Sequence, residues 1–490
     1  MMTRRSILEL LAAGLASARH LTGAQLCKPL NYDYGALEKT KLARYKTYRF
    51  RETTVRERPL WSKLSPDAKK DLAGKISSAY QVLTRRSIRR PLHLGGLIGQ
   101  GWLHHHACGD GTAGTAGIHN TSAFLPWHRA FLYFHERWLQ KALGDRTFRL
   151  PAWNWEDDPN MPPIFDSWLK IPKMDGSDLG CTYLANTKVD TITQPTLQAW
   201  LLSHCFIDFA GGPHTHPRAF ACVHSNVHTQ LGGLMTDTKT SALHPIFYMH
   251  HANVDRYWCA WHKSYGTHDG FTPEWPKDPM VFCDPEHGMV KVYAEDVAKS
   301  TRALGYEYAL PGTSFYQLTN VCAVTQGNLV SMNPAVLFPL LRRIVQMTPA
   351  QPALLSPAAL DPAQSLDVLL TAIDANPAFP SLSLPVHMHL QSDEIQIGEY
   401  YPLLLGGIQI GGVSVFGAHH AHALDVCASL KLSDLLALGP SLFKDGAAIT
   451  LGAPPGGAAP GGVTVLEFEI LHSQLDRIDD LQLKKDLNIS

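Results

Sequence analysis

The stretch 119–138, HNTSAFLPWHRAFLYFHERW, decides how the first half of this chain folds. Pro126-Trp127 marks a helix start, and His128, Leu132, His135 and Leu139 then recur at helical spacing. Trp127, Phe131, Phe134 and Trp138 fill the adjacent stripe, so the helix carries two apolar faces and must be buried. A histidine facing such an interior needs a partner, and a metal ion is a good one.

Three other stretches supply histidines to match. Upstream, 99–111 reads GQGWLHHHACGDG, and His104 with His119 and His128 makes a first set of three. Downstream, ACVHSNVHTQLGG (221–233) and HPIFYMHHANVDRYW (244–258) make a second set, His224, His228 and His251. His224 and His228 are four apart, which puts both rings on one helix face, and Gly232-Gly233 offers that helix a stop. His251 shares a stripe with Phe247, Val254, Trp258 and Trp261, whereas His250 lies off it. Neutral imidazole suits copper, and three nitrogen ligands per ion leave room for a small molecule such as dioxygen. Zinc is the rival metal, but residues 225–227 are Ser-Asn-Val, without the Glu of a His-Glu-x-x-His site. A lone His-x3-His pair would more often be a surface or satisfied core pair. Two matched sets in one chain point to a metal pair.

Composition narrows the class. At 490 residues the chain can bury one large core and support two domains. Lys plus Arg and Asp plus Glu are 43 each, so charge gives no case for nucleic acid as a partner. Nine cysteines without CxxC pairs indicate neither a zinc ribbon nor a dense disulfide scaffold. No apolar run is long enough for a membrane span. Residues 1–25, with Arg4-Arg5 before a short apolar run, resemble a twin-arginine export signal. A functional signal predicts an exported, periplasmic or secreted protein, and a plain helical N-terminus predicts a cytoplasmic one.

Residues 26–60 read as a polar arm, 65–106 as helices, and 156–200 as long Pro/Gly/Asp-rich loops. Residues 316–383, rich in Pro and Ala, read as a linker. From about residue 384 the period becomes strand-like, with Ile395 and Ile397, then Leu466, Phe468 and Ile470, alternating with polar residues. Gly-rich breaks after Leu405 mark turns, and 453–462, APPGGAAPGG, is a low-complexity loop. His419, His420 and His422, and His214 with His216, sit in loop-like surroundings where exposed histidines are usually inert.

Phe124-Leu125-Pro126-Trp127-His128-Arg129, with His119 nine residues before His128, resembles the first copper signature of the tyrosinase, catechol oxidase and hemocyanin group. Residues 245–247 and 250–256 resemble its second copper signature, Pro151-Ala-Trp-Asn-Trp155 the segment between, and Gly305-Tyr-Glu-Tyr308 its closing tyrosine motif. The resemblance covers roughly residues 50–310. It implies a mainly α catalytic core, a four-helix bundle around a dinuclear copper site (26–315), followed by a smaller β-rich C-terminal domain (384–490). In polyphenol oxidases that domain covers the copper site and keeps the enzyme latent.

The resemblance also implies two copper ions held by His104, His119, His128, His224, His228 and His251. His104 is chosen among three consecutive histidines because Gln100, His104 and Cys108 resemble the family's Gln-x-x-x-His-x-x-x-Cys spacing. By the same resemblance Cys108 is a candidate for a thioether to His119, and Arg56 for a partner of Tyr306 and Tyr308. The implied reaction is oxidation of o-diphenols to o-quinones with dioxygen, with ortho-hydroxylation of monophenols as a second activity. Alternatives within the resemblance are a hemocyanin-like dioxygen-binding protein and an o-aminophenol oxidase.

Three positions bear on the substrate. Good hydroxylating tyrosinases resemble one another in placing Asn after the first histidine of the second set, paired with a Glu. Here Ser225 stands there, Asn226 is about 100° further round the helix, and residues 209–223 contain no acid. Thr238 is small where plant catechol oxidases place a bulky gate. These residues predict diphenol oxidation over monophenol hydroxylation. His244 replaces the Asp that commonly precedes Pro245.

Overall fold

The structure is a computed structural model that describes residues 45–89, 93–108, 118–120, 122–164, 188–189, 219–238, 240–265, 275 and 277–310. Further along it describes 347–351, 354–357, 383–391, 394–396, 398–414, 423–431, 447–454, 457–461 and 464–470. The export-like segment 1–25, His214, His216, His419, His420 and His422 lie outside the described residues. Backbone contacts divide the chain into two units. One comprises residues 1–190, 227–260 and 273–310, the other 191–226, 261–272 and 311–490.

Five long helices are described: α1 (Pro66–Arg89), α2 (Leu97–Cys108), α3 (Phe124–Leu143), α4 (Ala219–Leu231) and α5 (Ile246–Tyr265). The last four carry histidines of the two sets, which matches the expected bundle. Helix α3 is buried along nearly its whole length, as its double apolar stripe requires. It stops at Gly144, whose left-handed φ of 65° lets its N–H return to the Gln140 carbonyl. Among the described residues, no helix is long and apolar enough to cross a membrane.

Short strands pin this helical core. Strand β1 (Lys46–Thr47) pairs with β4 (Gly288–Val292), which pairs with β3 (Met280–Asp284). Strand β2 (Arg56–Arg58) runs parallel to β5 (Tyr306–Tyr308), with Arg56 opposite Tyr306 and Arg58 opposite Tyr308. The polar arm read from 26–60 is therefore partly strand. Its far end is buried, with Leu60 and Trp61 in the core.

The second unit contains an eight-stranded sheet in the order β13-β8-β11-β10-β9-β12-β7-β6. Its strands are β6 (Met347–Gln351), β7 (Leu354–Pro357), β8 (Ser383–Gln391), β9 (Tyr400–Leu405), β10 (Ile408–Ser414), β11 (Ala423–Lys431), β12 (Ala447–Leu451) and β13 (Thr464–Ile470). Strand structure thus begins before residue 384, inside the stretch read as a linker. Pro349 disguises β6, and its strand takes the sheet edge, where a missing N–H is tolerated. Strands β9 and β10 form a hairpin through Gly406 and Gly407, whose φ values of 56° and 84° suit a two-residue turn.

Candidate metal centre

His104 comes from the third turn of α2, His119 from a short 3₁₀ turn (Ile118–Asn120), and His128 from the start of α3. Their ring centroids are 5.5, 5.3 and 5.4 Å apart, a nearly equilateral triangle. His104 is fully buried, whereas His105 and His106 are half-buried and His106 stacks on Trp102. The second group holds His224 and His228 on α4 with His250 and His251 on α5, their ligating atoms within 4.8 Å of one another.

Backbone carbonyls settle the tautomers. His104 Nδ1 lies 2.8 Å from the Thr238 carbonyl, His128 Nδ1 2.8 Å from that of Phe124, and His228 Nδ1 2.8 Å from that of Met235. A carbonyl can only accept, so each Nδ1 donates and each Nε2 is left with a lone pair. His104 and His128 therefore point lone pairs at one another across 3.3 Å. That arrangement is repulsive as it stands, and a cation beside both nitrogens turns it into coordination. His228 Nε2 likewise lies 3.4 Å from His251 Nε2. The donor set, imidazole nitrogens with anchored second nitrogens, fits a pair of copper ions.

Burial keeps these rings neutral. It pushes His104, His128 and His228 well below the ordinary histidine range, neighbouring imidazoles add to the effect, and the carbonyl bonds oppose it. Burial lowers His119 to about 4. Neutral imidazole is the form a metal needs.

His250 was set aside in the sequence for lying off the apolar stripe, yet it sits among the second group. Trp155 Nε1 donates to its Nδ1 at 3.1 Å. An indole N–H is donor only, so neutral His250 carries its proton on Nε2 and cannot ligate through that atom. His251 is thus the candidate third ligand, and His250 flanks it with ring centroids 5.1 Å apart. The signal was present in Trp155 of the Trp-Asn-Trp segment, but no spacing rule connects residues 155 and 250.

Phe247 lies between the two groups, its ring centroid 4.7 Å from His104, 5.8 Å from His228 and 4.1 Å from His251. His128 and His251 stack 4.2 Å apart at 9°. Cys108 Sγ is 3.3 Å from His104 Nε2 and 3.8 Å from His119 Nε2. Ser225 is half-buried, and Asn226 and Thr238 are buried. Thr238, read as a gate side chain, also contributes its carbonyl to His104.

The tyrosine motif takes Arg58 as its partner rather than Arg56. Arg56 is exposed and contributes backbone pairing alone among its described contacts with Tyr306. Arg58 is fully buried, donates to Tyr308 at 2.8 Å and to Glu136 at 2.9 Å, and lies 3.6 Å over the Tyr306 ring. Both tyrosine hydroxyls donate to Asp255, which also accepts from Arg129 at 2.6 Å. Arg129 follows His128 and Asp255 lies one turn after His251, so this pair locks α3 to α5 beside the metal groups. His244 caps α5: its Nδ1 accepts from the Ile246 N–H at 3.1 Å, the bond an Asp would make, and burial lowers it to about 3.

His135 belongs to a different cluster. It bonds Tyr80 at 2.7 Å through Nε2 and Gln100 through Nδ1, and stacks on Tyr248. Gln100 thereby ties α2 to α3 one turn before His104.

Comparison with known proteins agrees with this geometry. The model of the common central domain of tyrosinase matches residues 99–196 and 174–264. A tyrosinase from Hahella sp. (strain CCB-MM4) is 30% identical over 218 residues, covering 39% of this chain and 47% of the relative. Chloroplastic catechol oxidase B from Solanum tuberosum is 27% identical over 398 residues, 72% of this chain and 66% of the relative. The chain thus spans less than two thirds of the length of these relatives. Latent apple tyrosinase superposes with a TM-score of 0.51 at 18% identity, over 87% of this chain and 100% of that one. A latent aurone synthase gives 0.53 at 18%, over 87% and 91%. At these identities the superpositions establish the shared fold.

Proposed function

We propose that this chain, a member of the tyrosinase and polyphenol oxidase family by its central domain, oxidises o-diphenols to o-quinones with dioxygen. The observation that carries the reading is the pair of converging imidazole groups, in which the Nδ1 protons of His104, His128 and His228 are taken up by backbone carbonyls. His104, His119 and His128 would hold one copper ion, and His224, His228 and His251 the other. Bound copper supplies the one-electron steps that let dioxygen accept two electrons from a diphenol. The protein's part is to aim these imidazoles, to keep His104, His119, His128 and His228 neutral by burial, and to line the centre with Phe124 and Phe247.

The pocket residues favour diphenols. A monophenol needs a positioned base to take its proton before hydroxylation. Ser225 has no amide with which to orient a water, and residues 209–223 offer no carboxylate. Thr238 leaves the gate position small, which suits sizeable phenols. Cys108 is assigned a thioether to a His119 ring carbon, formed as the thiol and ring hydrogens are lost with two electrons to dioxygen, which would fix a ligand that rides on a short turn rather than a long helix. We assign the C-terminal sheet a restraining role. Within the second unit, the Ser414 hydroxyl at the end of β10 donates to the Ser225 carbonyl at 2.9 Å, next to His224. Limited proteolysis in the loop 453–462 should then raise catechol turnover at constant copper content.

The deciding experiment is oxygen uptake by copper-loaded protein with catechol and with tyrosine, alongside metal analysis. Two coppers per chain and fast catechol turnover with slow tyrosine turnover are expected. Zinc bound in preference to copper, or no oxygen uptake with either phenol, would overturn the reading.

A further inference from the structure

We propose that the turn at residues 232–238 is a single clamp that orients one imidazole of each metal group and so sets the spacing between the two ions. The inference rests on the dinuclear reading above. Three residues apart in this turn, the Met235 carbonyl takes the Nδ1 proton of His228 and the Thr238 carbonyl takes that of His104. The first ligand lies on the helix just before the turn. The second lies 134 residues away on α2.

The turn is built to be stiff. Helix α4 ends at Gly232, whose φ of 72° and ψ of −166° belong to a region essentially reserved for glycine. Gly233 follows with φ 55°. The chain then tightens into a 3₁₀ turn, with Met235 N–H on the Gly232 carbonyl at 3.0 Å. Thr236 Oγ1 donates to the Gly233 carbonyl at 2.9 Å and Thr240 Oγ1 to the Leu234 carbonyl at 2.8 Å. Thr240 and Ser241 N–H both return to the Asp237 carbonyl. Met235, Thr236 and Thr238 are buried, so the carbonyls are shielded from competing water.

Helix α2 reaches the clamp because Gly101 has no side chain. A Cβ there would sit 2.4 Å from Leu243 Cδ2, just beyond the turn. Gly101 therefore brings α2 close enough for His104 to meet Thr238. His104 Nε2 then faces His128 and His228 Nε2 faces His251, one contact in each group. A shift of the turn moves both at once.

The test is copper(I) affinity measured by competition with a chromophoric chelator. His128→Ala and His251→Ala backgrounds each leave one group intact to be read separately. Gly232→Ala should weaken binding about ten- to a hundredfold in both backgrounds, the usual cost of disturbing a ligand's hydrogen-bond partner. Weakening confined to the His128→Ala background, where the second group remains, or unchanged affinity in both, would overturn the clamp. Should Gly232→Ala fail to fold, Gly101→Val probes the other arm. It should weaken the first group alone, and Leu243→Ala should restore it; unchanged affinity in Gly101→Val overturns the proposal. Nitrogen-edited NMR of the metal-free wild type gives a readout independent of copper. Protected Nδ1–H resonances for His104 and His228 support the clamp and rapid exchange at either refutes it. A wild type that binds no copper while keeping these resonances would defeat the dinuclear reading and leave the clamp standing.

Discussion

The two histidine groups are assembled by different routes. The second draws on two helices, α4 and α5, and one helical turn already places His224 and His228 on a common face. The first draws on two helices and a short turn, and His119 is held by no helix longer than Ile118–Asn120. Helical geometry alone pairs two members of the second group, whereas the first depends on contacts from elsewhere, the Thr238 carbonyl on His104 and the Cys108 sulfur beside His104 and His119.

The sharpest break of this comparison is removal of a ligand. His128→Ala and His251→Ala should each lose one copper and abolish catechol turnover, whereas His250→Ala should keep both coppers and bind them about tenfold more weakly. Metal analysis with oxygen uptake checks this, and loss of an ion in His250→Ala would reverse the assignment of 250 and 251. Next in size is the joint between the groups. Asp255→Ala leaves Arg58 and Arg129 buried without their shared carboxylate and should cost about 3–5 kcal/mol, seen as a large fall in the urea midpoint.

Cys108→Ser should act on the first group alone. Wild-type protein should yield a peptide pair joined at Cys108 and His119, two hydrogens lighter than the sum. The variant should lose copper from the first group ahead of the second during dialysis against chelator. An alkylatable Cys108 in fully loaded wild type would show the bond absent. The smallest effect belongs to the second group's helix. His244 is buried neutral with a folded value of about 3 against an ordinary 6.5, so its contribution is complete above 6.5 and drains away as pH falls towards 3. Between pH 6.5 and 5 the loss is about 2 kcal/mol. His244→Asn, which can cap without titrating, should flatten the chemical-denaturation profile by that amount.

What the sequence disclosed follows the same division. The stripes around His128 and His251 and the His-x3-His pair were readable because helical period is a local property. The choice among His104, His105 and His106 came from resemblance, since its physical cause is a carbonyl 134 residues away. The bracing place of His250 beside His251 was not legible for the same reason, its Trp155 partner being remote in the chain. Arg56 and Arg58 share strand parity, and only the register against Tyr306 and Tyr308, with the burial of one end, separates them. Strand β6 hid in a Pro/Ala-rich stretch because its edge position excuses Pro349. Local periodicity announced helices and four of the six proposed ligands, while long-range hydrogen bonds chose between neighbours.

The parallel pairing of β2 with β5 also orders events during folding. Arg58 and Tyr308 are 250 residues apart, so joining them directly from an open chain closes a very long loop. That closure becomes inexpensive only after α3 and α5 have met and shortened the effective path between its ends. The clasp should therefore form late, as a seal on an assembled core rather than its nucleus. A nascent chain that has not yet extended beyond Tyr308 holds Arg58 and Asp255 without their tyrosine partners, so the core can mature only once the motif is released from synthesis.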